Sequence, residues 1–509
     1  MKNLLRFVAL GIAGALAGCS VGPDYSLPPF LTPAAFVAQS AEKTAQPPPS
    51  AGADLAQWWR SLRDKELDSL VAQALASNLD LEIALDRLQA ARTLVVVVAN
   101  QALPEVGATG GAGLGSGSDL TKGRATQALR AGEIATGLKS TNEAGGLDAD
   151  WEIDLFGKFR REIEAQAANA EALKDARDWV FVTVAADVAR AYLDMRAQQR
   201  QLVVLGENIA AARHNLDLAQ TRFNQGLTNE LDVSLAQREL ATLQSDLAPL
   251  AAQVEVSRHL IATLIGRFPE DLAGELARPG PIPALPARIP VGLPADLLRR
   301  RPDIREAERT LAAANARIGA AIADLFPSLI LTGAGGAQGG VRATTGTPIT
   351  WIGSIGPALA MPILDFGALD AQIEIADLRT KGLLAAYKQA IITAVREVDD
   401  AESSYRGQQQ RLANLDRALQ AAQQATQLAT QRYDRGLTDF LNVVDAERQQ
   451  FDIEQRHVEA RQAAADALVA LYKALGGGWP PNEAIPPLRT LQPAVIAATK
   501  YLLAPAQQP

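Results

Sequence analysis

Apolar and acidic residues alternate without a break from 147 to 154, as Leu147-Asp148-Ala149-Asp150-Trp151-Glu152-Ile153-Asp154. That period of two predicts a strand with one apolar and one acidic face. A second alternation over 349–360 places Ile349, Trp351, Ile355 and Leu359 on one face and Thr350, Ser354 and Gly356 on the other. The glycine-rich segments 105–114 and 328–336 precede them and predict their hairpin partners. The rest of each repeat reads as helical. Residues 157–226 and 367–436 contain no proline and are dominated by Glu, Gln, Arg, Ala and Leu, all good helix formers. A continuous helix of that length is about 100 Å long. It cannot bury a stripe alone and needs coiled-coil neighbours. Helical patterns return over 226–266 and 436–476, with Pro249 placed to kink the first. Shorter helices are expected over 64–103 and 294–325, with Pro302 suited to a first turn and Arg299 to Asp303 in a structural role.

The chain is a tandem duplication. Residues 222–237 read RFNQGLTNELDVSLAQ and 432–447 read RYDRGLTDFLNVVDAE, identical at seven of sixteen positions at an offset of 210. The same offset superposes Ile153, Phe156 and Gly157 on Ile363, Phe366 and Gly367. Upstream the offset is 223, carrying Asp80, Pro104 and Gly110 onto Asp303, Pro327 and Gly333. The division that follows is 57–277 for the first repeat, 278–293 for a Pro-rich connector, 294–478 for the second repeat and 479–509 for a tail.

Four strands cannot close a barrel, and an open sheet in lipid leaves unpaired backbone edges. Several chains must therefore share one barrel, and three would supply twelve strands. No apolar run after residue 18 approaches the roughly 18–20 residues of a membrane helix. The amino terminus gives the compartment. Lys2 and Arg6 precede an apolar stretch at 7–17, the signature of a signal peptide over 1–18. It ends in Leu16-Ala17-Gly18-Cys19, which resembles the bacterial lipobox and predicts a covalent lipid on Cys19, the only cysteine. Ser20 in place of aspartate favours the outer membrane. Residues 19–56, rich in Pro, Ala and Ser, read as an extended lipid-anchored segment able to run roughly 100 Å.

A net charge of −8 argues against a nucleic-acid partner. His214, His259 and His457 are scattered over polar helices, so neither a metal site nor a cofactor is expected. Asp365-Phe366-Gly367 spells a kinase motif, but no phosphate loop or catalytic loop accompanies it, and no enzyme is expected.

The lipobox, VGPDY (21–25), the pair Trp58 and Trp59, WEIDLFGKFR (151–160), RFNQGLTNELDV, GLPADLLRRRPDIREAE (292–308), LFPSLILTG (325–333) and ALGGGW (474–479) together resemble the TolC-like outer-membrane factors. The similarity is to their NodT branch of lipoproteins, which serves resistance–nodulation–division efflux pumps. It implies a homotrimer with a twelve-stranded β-barrel in outer-membrane lipid, continued by a periplasmic α-barrel. A periplasmic adaptor docks at the helix-hairpin tips and an inner-membrane pump supplies the energy. On this chain the tips are Gly226, Leu227 and Thr228, and Gly436, Leu437 and Thr438. Glycine there also serves as a plain helix cap. The periplasmic gate maps to Tyr433, Asn442 and Asp445, with Asn442 standing where the family carries a carboxylate. The acidic face of Asp148, Asp150, Glu152 and Asp154 either lines the lumen or pairs with arginines such as Arg160 and Arg161. Trp151 and Trp351 face lipid or pack in a core.

A duct for type I protein secretion shares this fold. A periplasmic adaptor lipoprotein is the alternative of another class, although adaptors normally carry one helical hairpin and no duplication.

Overall fold

The computed structural model describes residues 20–29, 33, 35–36, 55–116, 139–272, 274–286, 289, 294–342 and 349–479. The signal segment 1–18, Cys19 and residues 480–509 lie outside the described residues. A 3-10 turn (Leu55–Leu62) leads into α1 (Lys65–Ser77), α2 (Leu79–Asn100), β1 (Glu105–Ser116), β2 (Lys139–Ile153), the long helix α3 (Lys158–Asn224), α4 (Glu230–Ser245) and α5 (Leu247–Leu264). The second repeat is α6 (Pro294–Arg300), α7 (Pro302–Ala323), β3 (Ser328–Arg342), β4 (Thr350–Ala360), the long helix α8 (Ala368–Asp434) and α9 (Phe440–Ala474).

The long helices obey the duplication to the residue. Both are 67 residues, and both follow a left-handed glycine, Gly157 at φ 85° and Gly367 at φ 82°. Gly206, Gly382 and Gly407 interrupt neither. At 1.5 Å per residue each spans about 100 Å.

The short helices are not continuous as expected. Asn78 divides the first, because its Oδ1 accepts from the Asp80 and Leu81 amides at 2.9 and 3.2 Å and caps α2. At the offset of 223, Arg301 divides α6 from α7, with Pro302 in the first turn of α7. Both breaks hold the end of a returning helix. Asn78 Nδ2 donates to the Leu264 carbonyl at 2.8 Å, and Arg301 Nη1 donates to that of Ala474 at 3.0 Å. Leu264 and Ala474 are themselves 210 residues apart. The returning helix of the first repeat breaks at Asp246, where Pro249 cannot donate to the Ser245 carbonyl. Its proline-free counterpart α9 runs 35 residues unbroken.

The two expected hairpins join into one antiparallel sheet, in the order β1-β2-β3-β4. β2 begins at Lys139, eight residues before the alternation, because polar and glycine residues at 139–146 carry no period to read. No helix among the described residues is long and apolar enough to cross a membrane.

The largest core lies where α1, the 3-10 turn and the ends of α5 and α9 close on the middle of α3. Trp58 stacks on Tyr472 there, with centroids 4.8 Å apart. The described residues of the N-terminal segment are docked on the repeats. Val21 donates to the Phe156 carbonyl at 3.1 Å, Tyr25 Oη to Glu308 at 2.8 Å, and Phe36 is buried with Leu297 and Leu311. It therefore follows α7 from its C-terminal end to its beginning. Gly22 is required at its place, since a Cβ there would lie 2.4 Å from Gly319 Cα.

Candidate functional site

Residues opposed across an antiparallel ladder share a face. One face of the sheet holds rows such as Val106, Ala149, Gly333 and Ile355, and Ile153, Leu329 and Leu359. The other holds Glu105, Asp150, Thr332 and Gly356, then Gly107, Asp148, Ala334 and Ser354. The apolar face is bare. Trp351 is 82% exposed, and Ile355, Leu359, Val106 and Leu147 are exposed with it. Trp151 lies on the same face, but its indole donates to the Ala102 carbonyl at 3.0 Å and packs on the end of α2. A sheet apolar outward and polar inward, with exposed aromatics, is the pattern of a transmembrane barrel wall.

The acidic row does not act as a unit. Asp148, Asp150 and Glu152 sit on the polar face of β2. The Oδ1 of Asp148 is buried and has no hydrogen-bond partner among the described residues. Asp154 takes the arginine-pairing alternative. It lies beyond the strand, and its Oδ2 accepts from the Arg160 amide at 3.0 Å and from Arg160 Nε at 3.3 Å, so it caps α3.

At the sheet–helix junction, Arg161 is nearly fully buried. It donates to the carbonyls of Val21 and Gly22 at 3.2 and 3.3 Å and pairs with Asp24 at 2.7 Å. Asn315 holds the Pro23 carbonyl at 2.9 Å. These contacts account for the VGPDY motif. Sequence reasoning missed Arg161 and Asn315 as its holders, because their partners are backbone atoms about 140 and 290 residues away. The residue after Cys19, Ser20, packs against Gly157, where β2 passes into α3.

At the far end both hairpins turn through a Schellman motif. Gly226 has φ 70° and Gly436 φ 71°, with Leu227 donating to the Arg222 carbonyl and Leu437 to that of Arg432, each at 2.9 Å. Leu227 and Leu437 are exposed. Thr228 Oγ1 bonds Asp232, and at the equivalent place Asn442 Nδ2 donates to Thr438 Oγ1 at 2.9 Å. Asn442 is thus the counterpart of Asp232 and braces the tip.

Within the chain the three gate candidates differ in setting, two of them exposed and one buried. Asn442 and Asp445 are exposed on α9, and Asp445 Oδ2 accepts from Gln449 at 2.8 Å. Tyr433 is buried among Phe440, Val443, Val444 and Val233, with the Arg222 guanidinium 4.2 Å from its ring centre. It seals the contact between the two hairpin tips. Its period within a helix gave no sign of this, because Phe440, Val443 and Val444 pack on it from beyond the turn and Val233 and Arg222 from the other repeat.

The outer membrane efflux protein family model matches residues 70–267 and 293–477, one match to each repeat. The chain belongs to that family. Among its relatives, Nodulation protein T of Rhizobium leguminosarum bv. trifolii is 30% identical over 92% of this chain and 96% of that protein. The toluene efflux pump outer membrane protein TtgF of Pseudomonas putida is 31% identical over 93% of this chain and 97% of that protein. The solved outer-membrane channel OprN is 36% identical, covers 91% of this chain and all of that structure's, and superposes with a TM-score of 0.79. This outer membrane efflux protein is an outer-membrane channel of NodT type.

Proposed function

We propose that three copies assemble into a single duct. Their sheets close a twelve-stranded barrel in the outer membrane, and their long helices continue it into the periplasm as an α-barrel. The duct passively conducts small molecules handed over by a periplasmic adaptor and an inner-membrane resistance–nodulation–division pump. The observation that carries this reading is the sheet itself. Its apolar face is exposed, and its outer strands β1 and β4 have no partner within the chain among the described residues. In hydrocarbon each unpaired backbone group costs several kcal/mol, so the edges require other copies.

Three further assignments accompany it. Cys19 carries the lipid, supported by Ser20 lying at the sheet–helix junction, the level of a membrane surface. The tips at Gly226, Leu227 and Thr228 and at Gly436, Leu437 and Thr438 receive the adaptor, supported by two exposed leucines on rigid turns about 100 Å from the sheet. Asp445 and Asn442 line the periplasmic end of the pore, supported by their exposure beside the tip.

The test pairs mass with function. The detergent-extracted protein should have three times the chain mass, near 162 kDa from 53.9 kDa per chain, apart from detergent and processing. The gene should also restore resistance to an efflux-deficient host that supplies a cognate adaptor and pump. A monomeric species, or a trimer that never restores resistance, would sink the reading.

A further inference from the structure

We infer that the cavity at the foot of the sheet is a resting site for cargo, and that the cargo it suits is an organic cation with an aromatic or apolar body. The inference rests on the duct proposed above and adds the chemical class of a molecule that passes through it.

The cavity lies where β2 passes into α3 and α7 passes into β3. Its volume is about 400 Å³, within the usual range of a small-molecule site. Glu152 reaches it from β2, Lys158 from α3 and Asp324 from the end of α7, while Ser328 and Ala360 close it from β3 and β4. Glu152 opposes Ile330, which opposes Ala358, and two residues further along Ser328 opposes Ala360. These positions continue the polar face that carries Asp150, Thr332 and Gly356. In the duct that face looks inward. The cavity is therefore set in the wall of the conduction path, at the passage between helical tube and barrel.

Its lining combines aromatic surface with excess negative charge. Phe156 and Phe326 stack at 4.6 Å, and Phe326 keeps 37% of its surface exposed. Three carboxylates line the cavity against one ammonium. Two of the three are already committed, Asp154 to Arg160 at 3.3 Å and Asp324 to Lys158 at 2.7 Å. Glu152 is left, half-buried and with neither a hydrogen bond nor an ion pair among the described residues. A carboxylate partly withdrawn from water beside aromatic rings suits an organic ammonium, since the acid meets the charge and the rings attract its positive surface. An anion of the same shape meets the same carboxylate and is rejected.

The duplication shows that these charges are not needed to build the junction. At the offset of 210, Glu152, Asp154 and Lys158 become Pro362, Leu364 and Ala368, and at 223 Asp324 becomes Gln101. The backbone repeats all the same. Gly367 takes the left-handed turn of Gly157, and α8 starts at the place equivalent to the start of α3. The strand-to-helix turn thus forms equally well without the charges, and the first repeat keeps them for something other than folding.

The test is isothermal titration calorimetry of the full-length protein in non-ionic detergent, with phenyltrimethylammonium as the probe. Binding should saturate at one site per chain. Glu152→Gln should weaken it about tenfold, and Glu152→Asp, which keeps the charge, by no more than about threefold. Phe326→Leu should weaken it about threefold through loss of the ring. Benzenesulfonate, a similar ring of opposite charge, should not bind. Asp217→Asn removes an equal charge from an exposed position of α3 near its tip and should leave the affinity unchanged. Equal affinity in Glu152→Gln, binding of benzenesulfonate alongside the cation, or no saturable binding at all overturns the site. A three-chain mass on the same sample then leaves the duct standing. A one-chain mass with binding that still depends on Glu152 keeps the cation site but sinks the duct, and with it the part in transport.

Discussion

Asn78 and Arg301 occupy the same place in the two repeats and do the same work with different chemistry. A neutral amide caps a helix and reaches Leu264, while a buried guanidinium reaches Ala474, Glu397 at 2.7 Å and Asp303 at 2.6 Å. Asn78→Ala should cost about 1–2 kcal/mol, the usual loss of an N-cap. Arg301→Met should cost about 2–3 kcal/mol, because hydrogen bonds to charged groups are lost. Denaturant titrations of helix content in detergent measure both. Asp466 behaves differently. Its Oδ1 is buried without a hydrogen-bond partner among the described residues, and burial, reinforced by the Asp194 charge and opposed by Arg190 at 4.0 Å, pushes its pKa up to about 6. The folded state therefore holds the proton more tightly than the unfolded chain. Stability falls as pH rises from the ordinary carboxylate range to about 6, and the deficit is complete above that. Asp466→Asn should raise the thermal midpoint at pH 7.5 and leave it unchanged below pH 4 or so. A gain of the same size at both pH values would refute this account. Of these three roles the sequence showed only the position of Pro302 and a structural part for Arg299 to Asp303. Each depends on a partner more than a hundred residues away or across a helix contact.

At the scale of the element, the sequence was most readable where one chain segment decides its own structure. The 67-residue helices, their glycine caps and the strand alternation at 147–153 all follow from local composition and period. The Asn78 break was invisible because a single capping amide outweighs an otherwise unbroken helical pattern. The pairing of β2 with β3 was unreadable for a different reason, since register between hairpins is set by neither turn. The tips separate two contributions that sequence alone merges. Gly226→Val and Gly436→Val force a left-handed φ on a β-branched residue and should each cost about 1–2 kcal/mol locally, seen as earlier proteolysis at the hairpin ends. Leu227→Asp and Leu437→Asp alter exposed side chains outside the Schellman bonds, so the thermal midpoint should stay within about 0.5 kcal/mol equivalent of the parent. Efflux should nonetheless fall, because a charge replaces the apolar contact offered to the adaptor. Resistance assays beside melting curves distinguish the cases, and normal resistance in both aspartate variants would remove the adaptor from the tips.

For the whole molecule, symmetry turns a modest side chain into a device. A lone exposed carboxylate such as Asp445 contributes little to one chain. Three copies around an axis sum their fields wherever the pore is narrower than about 8 Å, the screening length at physiological salt. Asp445 is suited to that role because it is exposed and fixed by Gln449, while Asn442 beside it carries no charge and is occupied by Thr438. Of the acidic row, Asp154 is unsuited, since it is paired with Arg160. Any cation preference at the periplasmic end should therefore come chiefly from Asp445. In planar bilayers with a salt gradient, Asp445→Ala should shift the reversal potential toward the unselective value, and Asp445→Asn should match it because the charge alone matters. Raising the salt to about 1 M, where screening shortens to about 3 Å, should erase the difference from the parent. An unchanged reversal potential in both variants at low salt would place Asp445 off the conduction path and leave Tyr433, Asn442 and their neighbours as parts of a tip whose role is packing.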